Sequence, residues 1–241
     1  MVRMDPSREL AFADVEVVMS RQRVLLSCSI GFVVLFAAAT AVLGTPPGIN
    51  DSGADIVKWM TAHHDAVRWS VWLATLSVPI FVIYAVLMRE VLGGVVGRVF
   101  LFGASAVAVL TVAQSWITAA VARRPTEIDP ATARTLLDVA AYWGPTLTGF
   151  TILTLGAIAV GAVHGGALPR WVGYVAAIVL VEQLVETITI VGTSGFWGAG
   201  GPMNTILGAG LTVMAWLVAG IAASRRPIGA GQVGLTVSST A

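Results

Sequence analysis

Long stretches without a charged side chain are the dominant feature of this 241-residue sequence. They cover residues 24–50, 69–88, 99–122, 139–169, 171–181 and 187–224. A helix that crosses a bilayer needs about 20 mostly apolar residues, so each of the first four stretches can hold one span. Helices satisfy their own backbone hydrogen bonds in lipid, and continuous apolar runs lack the alternation of barrel strands. The stretches therefore predict membrane-spanning helices.

We predict an all-α fold, a polytopic membrane helical bundle with six transmembrane helices. The fifth span includes Glu182 and Glu186, and the turn-forming residues 193–202 separate it from the sixth. The predicted spans are residues 24–44, 69–88, 99–121, 141–163, 171–192 and 203–223. The predicted regions are a polar cytoplasmic tail at residues 1–20, a membrane domain at residues 21–226 and a disordered tail at residues 227–241.

The composition excludes a soluble domain and a disordered chain. Apolar residues make up 56% of the sequence and charged residues 11%, whereas soluble domains carry about 25% charge and disordered chains are poor in apolar residues. The formal net charge of +1 provides no field for nucleic acid. The single cysteine, Cys28, excludes an internal disulfide and a CxxC motif. We therefore predict the lipid bilayer as a partner, no nucleic acid and no cofactor.

The basic residues predict that both termini are cytoplasmic. With the N-terminus inside, the cytoplasmic side carries Arg3, Arg8, Arg21, Arg23, Arg89, Arg98, Arg170, Arg225 and Arg226. The outer side then carries Lys58, Arg68, Arg123, Arg124 and Arg134. This excess follows the positive-inside rule. We predict a multi-pass protein of a bacterial inner membrane whose first span is not cleaved as a signal peptide.

Two connections on the predicted outer side carry helical patterns. Apolar residues recur at near-helical spacing in residues 52–67, which predicts a short helix on the membrane surface, with a lid over a cavity as the alternative. In the second connection, Asp129 and Pro130 suit the N-cap and first position of a helix that runs into the fourth span. We expect Pro145 to kink that helix near the outer boundary.

Two carboxylates fall within the predicted hydrocarbon region. At a rise of 1.5 Å per residue, Glu182 lies about 16 Å into the fifth span, near the midplane. The spacing predicts one polar stripe, formed by Glu182, Glu186, Thr189 and Thr193 with Gln183 beside it. A charge at this depth costs about 2.5–3.5 kcal/mol on insertion scales, so the stripe should face protein or water. We expect Glu182 to be largely protonated unless a cation lies beside it.

Polar and aromatic residues of other spans can complete a site around these carboxylates. The predicted binding residues are Glu182, Gln183, Glu186, Thr189, Gln114, Trp116, Trp143, Thr151 and Asn204. If the protein is an enzyme, Glu182 is the predicted catalytic acid. Hydrogen bonding between spans, without any ligand, is the alternative role for these residues. No metal site is predicted, because the adjacent His63 and His64 would point about 100° apart on a helix.

Three local motifs carry a resemblance to a known group of proteins. They are the capped amphipathic stretch from Asp51 to Asp65, Leu168-Pro169-Arg170-Trp171 before the fifth span, and Gly195-Phe196-Trp197 with Gly200-Gly201-Pro202 before the sixth. In these features the chain resembles the uncharacterised six-span integral membrane proteins of actinobacteria, from about residue 20 to residue 226. The resemblance implies a six-span architecture and no particular activity.

Three functions remain open at this point. The one that we favour is binding or transport of a small apolar or cationic molecule by the intramembrane carboxylates, lost in Glu182→Gln. The second is an accessory or scaffold subunit, in a homo-oligomer or a membrane complex, whose polar residues serve helix association. The third is a membrane-embedded enzyme acting on a lipid or isoprenoid, similar to terpene cyclases that begin with an acid. There, a carbocation would be stabilised by cation–π contacts with Trp116, Trp143, Phe150 and Trp216.

Overall fold

A computed structural model of the chain describes residues 6–193 and 195–226, with side chains described from residue 20 onward. The helices are α1 (Pro6–Leu43), α2 (Gly53–Leu92), α3 (Gly94–Arg123), α4 (Pro130–Ala141), α5 (Trp143–Val163), α6 (Arg170–Glu186) and α7 (Ala209–Ser224). Shorter elements are the 3₁₀ turns Thr187–Ile190 and Gly195–Trp197 and the π-helical segment Met203–Gly208. The predicted disordered tail at residues 227–241 lies outside the described residues.

Among the described residues, six helical stretches are long and apolar enough to cross a membrane. They are Ser20–Leu43, Gly53–Leu92, Gly94–Arg123, Pro130–Val163, Arg170–Ile190 and Met203–Ser224. Each contains or closely overlaps one predicted span, so the predicted all-α bundle of six spans is confirmed. The first helix is longer than predicted, because α1 begins at Pro6 and its backbone is helical through most of the predicted polar tail.

The two ends of the described bundle lie on the same side. The amide of Gln22 at the start of the first span donates a hydrogen bond to the carbonyl of Arg226, at 2.6 Å. Arg226 also donates to the carbonyl of Gly166 in the connection before α6, at 2.6 Å. An even number of spans requires this arrangement. That this side is cytoplasmic remains a prediction from the basic residues.

An aromatic cluster lies at the centre, where α1, α2 and α7 meet. The ring centroids of Phe81 and Trp216 are 4.8 Å apart, and those of Phe32 and Phe81 are 5.2 Å apart. The hydroxyl of buried Tyr84 donates to the carbonyl of Trp216 at 2.8 Å. Aromatic pairs at such separations add about 0.5–1.5 kcal/mol beyond the area that they bury. The cluster therefore fixes α7 against the first two helices.

The amphipathic stretch at residues 52–67 packs on protein and is continuous with α2. Its apolar side chains Ile56, Met60 and Val67 are fully buried, in a cluster with residues of α3 and α4. The helix changes direction at His63, whose φ of −119° and ψ of 15° are not helical. The apolar face that predicted a membrane-surface helix is thus covered by α4 and the end of α3.

The fourth crossing consists of two helices. As predicted, Asp129 caps α4 by accepting a hydrogen bond from the backbone N–H of Thr132 at 3.0 Å, and Pro130 follows at the first position. The kink expected at Pro145 occurs slightly earlier, since α4 ends at Ala141 and α5 begins at Trp143. The physical reason is that Pro145 has no N–H for the carbonyl four residues before it.

Candidate functional site

Glu186 is the most deeply buried carboxylate at the end of α6, with 3% of its surface exposed. Its two oxygens accept hydrogen bonds from neutral amides. The side chain of Gln183 donates to Oε2, and that of Asn204 donates to Oε1. These donors hold the carboxylate in place without supplying a positive charge.

The buried face of α6 runs through Ala176, Val179, Gln183 and Glu186, at the three- and four-residue spacing of an α-helix. The 3₁₀ turn Thr187–Ile190 follows, and because it has three residues per turn, Thr189 is buried on the same side as Glu186. The predicted stripe ran through Glu182 and Thr193 instead, and so differs from the buried face in the structure.

Glu182 lies at the edge of this face and is partly exposed. Its Oε2 accepts a hydrogen bond from the side-chain amide of Gln183 at 3.1 Å. Its Oε1 is buried and has no hydrogen-bond partner among the described residues. Of the two carboxylates, Glu186 rather than Glu182 points to the interior of the bundle.

Asn204 reaches Glu186 from the π-helical segment Met203–Gly208. Two glycines make room for this contact: a Cβ at Gly144 would collide with the amide of Asn204, and one at Gly208 would collide with the carboxylate of Glu186. Short π-helical segments within α-helices occur frequently at functional sites. The backbone irregularity here lies directly against the buried acid.

A series of hydrogen bonds continues from Gln183 toward the aromatic cluster. The hydroxyl of Thr151 donates to the side-chain carbonyl of Gln183. The hydroxyl of Thr154, one turn further along α5, accepts from the indole N–H of Trp216 at 3.0 Å. These bonds attach α6 and α7 to α5 and fix the orientation of the Trp216 ring.

A cavity lies between all six spans at this position. Its volume is about 80 Å³, smaller than the roughly 300–1,000 Å³ of sites for drug-sized ligands. The lining residues are Phe32, Phe36, Ser77, Val78, Phe81, Val107, Ala108, Thr111, Trp143, Gly144, Leu147, Thr148, Thr151, Gln183, Glu186, Asn204, Gly208, Ala209, Thr212, Val213 and Trp216. The cavity is therefore narrow and suits a small or slender molecule.

The cavity has a polar wall and an aromatic wall. Glu186 is the charged residue of the lining, and none of the described lining residues is Lys, Arg or His. The hydroxyl of Thr212, which is 3% exposed, and the indole N–H of Trp143 are buried without a hydrogen-bond partner among the described residues. Because buried polar groups normally have a partner, these two groups are available to a bound molecule.

The structure brings most of the predicted binding residues together. Five of them line the cavity, namely Gln183, Glu186, Trp143, Thr151 and Asn204. Thr189 is fully buried on the same face of the chain but does not line the cavity.

Glu182, Gln114 and Trp116 are outside the lining, and Trp116 is 76% exposed on the outer surface of α3. Phe32, Phe81 and Gly208 also line the cavity and were not predicted as site residues. A phenylalanine in an apolar span can face either a cavity or the lipid, and the sequence around Phe32 and Phe81 does not distinguish the two.

In the part of the chain that the structure describes, no group of three or more His, Cys, Asp or Glu side chains is placed to hold a metal ion. Comparison with known proteins adds no relative: no family model, no curated protein and no solved structure matches the chain.

Proposed function

We propose that this integral membrane protein binds or transports a small molecule with a cationic head and an apolar body. The observation that carries the proposal is the lone carboxylate of Glu186 in a cavity whose described lining contains no basic side chain. Membership of the actinobacterial six-span proteins and a place in the bacterial inner membrane belong to the same proposal.

Electrostatics favours a cation over an anion at this site. An ionised carboxylate within the hydrocarbon is costly unless it is paired, and the amides of Gln183 and Asn204 are neutral. A ligand ammonium beside Glu186 would form a charge-assisted hydrogen bond and recover part of that cost. An anion in the same place would be repelled by the carboxylate.

The aromatic wall suits the remainder of such a molecule. Phe32, Phe81 and Trp216 line the cavity and pack against one another. Aromatic faces accommodate apolar groups and also attract cations, by about 0.5–2 kcal/mol. The ligand would therefore lie with its head at Glu186 and its body against these rings.

Two observations weigh against the other functions. A helix-association role does not by itself explain buried polar groups without partners at Trp143 and Thr212. Acid-initiated cyclisation is less well supported, because Trp116 and Phe150 are outside the cavity that holds Glu186. Both functions remain alternatives for the experiment to separate.

The test uses three fluorinated probes of matched size and shape. 4-Fluorophenylethylammonium is the cation, 4-fluorophenylethanol the neutral analogue and 4-fluorophenylacetate the anion. Binding to the purified full-length protein in lipid nanodiscs is followed by ¹⁹F NMR. We expect the cation to bind at least about tenfold more tightly than either analogue, a difference of about 1.4 kcal/mol.

Variants of the two carboxylates provide the matched pair. Glu186→Gln should abolish the preference for the cation, and Glu182→Gln, which is outside the lining, should keep it. Equal binding of cation and anion to a folded wild-type protein would refute the proposal. Loss of selectivity in Glu182→Gln alone would move the site to that residue.

A further inference from the structure

We propose that the ligand enters this cavity sideways from the lipid, through the seam between α2 and α3. This inference rests on the proposed binding function and adds to it the route and the phase from which the ligand comes. The ligand would then be a molecule dissolved in the bilayer rather than an ion taken directly from water.

A groove lies between α2 and α3 on the surface that faces away from the bundle interior. It is lined by Val78, Val82, Ser105, Ala108, Val109, Val112, Ala113 and Trp116. The described lining contains no charged residue, and its polar groups are the hydroxyl of Ser105 and the indole N–H of Trp116. Val109 and Trp116 are 67% and 76% exposed on a helix that crosses the membrane, so the groove faces lipid.

The groove and the cavity share two residues. Val78 of α2 and Ala108 of α3 line both of them. On the inner side of this pair lie Ser77, Val107 and Thr111, which line the cavity alone. The partition between lipid and cavity is therefore one side chain thick, and on α3 that side chain is a single methyl group.

The ends of the seam are closed, whereas its middle is not covered by another described helix. At one end α4 packs against both α2 and α3. At the other end the two helices join in a tight turn at Gly93 and Gly94, whose φ values of +67° and +50° suit glycine. A small separation of α2 and α3 near Val78 and Ala108 would open the partition while both ends stay joined.

The chemistry of this route matches the chemistry of the cavity. An apolar body can slide along Val, Ala and Trp side chains without losing hydrogen bonds, and its head can then reach Glu186 inside. A strongly hydrated inorganic cation would have to cross the same apolar groove without its water, which is costly. The route therefore selects amphipathic amines that partition into the bilayer.

The test measures exchange rates separately from affinity. Val82→Phe and Val112→Phe add bulk within the groove at positions that do not line the cavity. Val181→Phe, on the exposed face of α6 at 60% exposure, is the matched control. Exchange of 4-fluorophenylethylammonium is followed by ¹⁹F NMR in nanodiscs.

We expect both groove variants to slow association and dissociation by about tenfold, with an affinity within about twofold of wild type, since a gate alters both rates together. Val82→Ala, which widens the groove, should accelerate both rates. Val181→Phe should leave them unchanged.

Three outcomes would overturn the inference. Selective binding that depends on Glu186, with rates unaffected by all groove variants, refutes lateral entry and leaves the cavity as the binding site. If Val181→Phe slowed association and dissociation as much as the groove variants do, the change would be a general effect of a larger lipid-facing side chain. That result would also refute the route. Absence of any selective binding would remove the proposed function and this inference with it.

Discussion

The side-chain amide of Asn204 donates a hydrogen bond to Oε1 of Glu186, which lies 18 positions earlier in the chain. The bond joins the π-helical start of the last span to the end of α6. Since Gln183 donates to the other oxygen, the acid is oriented from two sides by neutral groups. A buried network of this kind is stabilising while all its members are paired and costly when one is removed.

Removing Asn204 should therefore destabilise the bundle. We expect Asn204→Ala to lower the free energy of unfolding by about 1–3 kcal/mol, because one oxygen of Glu186 loses its partner while it stays buried. Reversible denaturant unfolding in mixed micelles measures this change. Thr205→Ala is the control, since Thr205 is exposed on the same segment. Equal destabilisation in the two variants would contradict the role of the Asn204 hydrogen bond.

Gly208→Ala should displace the carboxylate of Glu186. A Cβ at this position would collide with the carboxyl group, and overpacking of this kind costs about 1–3 kcal/mol. We expect reduced unfolding stability together with loss of preference for the fluorinated cation. Gly210→Ala is the matched control, because a Cβ there has no described atom within 4 Å. If both variants kept wild-type selectivity, the geometry described for Glu186 would be wrong.

Gly220→Ala should weaken the contact of α7 with α1 and α2. A Cβ at Gly220 would overlap the hydroxyl of Ser29 and lie 2.8 Å from the Tyr84 ring. Alanine normally stabilises a helix relative to glycine by about 0.5–1 kcal/mol. We expect the opposite sign here, a lower thermal unfolding temperature, whereas Gly156→Ala, where the Cβ meets open space, should be neutral or stabilising. Stabilisation by both substitutions would exclude tight packing at Gly220.

Arg134 should hold the outer connections together. Its guanidinium donates to the carbonyls of Gly48 and Asp51, at 3.0 and 2.9 Å, and to the carboxylate of Asp138. We expect Arg134→Ala to increase amide hydrogen exchange in residues 44–52 by about tenfold or more, since local opening becomes easier when these bonds are lost.

The control for this substitution is Arg124→Ala. Arg124 is exposed, and its guanidinium has one described carboxylate partner, Glu127, at 3.4 Å. Exchange in residues 44–52 should remain at the wild-type rate in this variant. An unchanged rate in Arg134→Ala as well would show that other contacts hold the connection.

The number and approximate position of the spans could be predicted from the sequence, as could the cap at Asp129. Both depend on residues close together in the chain: hydropathy sums over about 20 neighbours, and a cap involves residues three positions apart. The break before α5 was predicted within three residues for the same reason, because Pro145 acts on the carbonyl four residues earlier.

The identity of the inward carboxylate could not be predicted in this way. The sequence is compatible with an α-helical stripe through Glu182 and Glu186 and with one through Gln183 and Glu186. Packing of α6 against the other helices buries the second stripe, which continues through Val179 and Ala176, so that Glu186 alone of the two carboxylates lines the cavity. The aromatic wall could not be predicted either, because Phe32, Phe81 and Trp216 belong to α1, α2 and α7 and meet only in the folded chain. The hydropathy of a segment decides whether it spans the membrane. Which of its side chains face the cavity depends on how the helix packs against helices that are distant in the sequence.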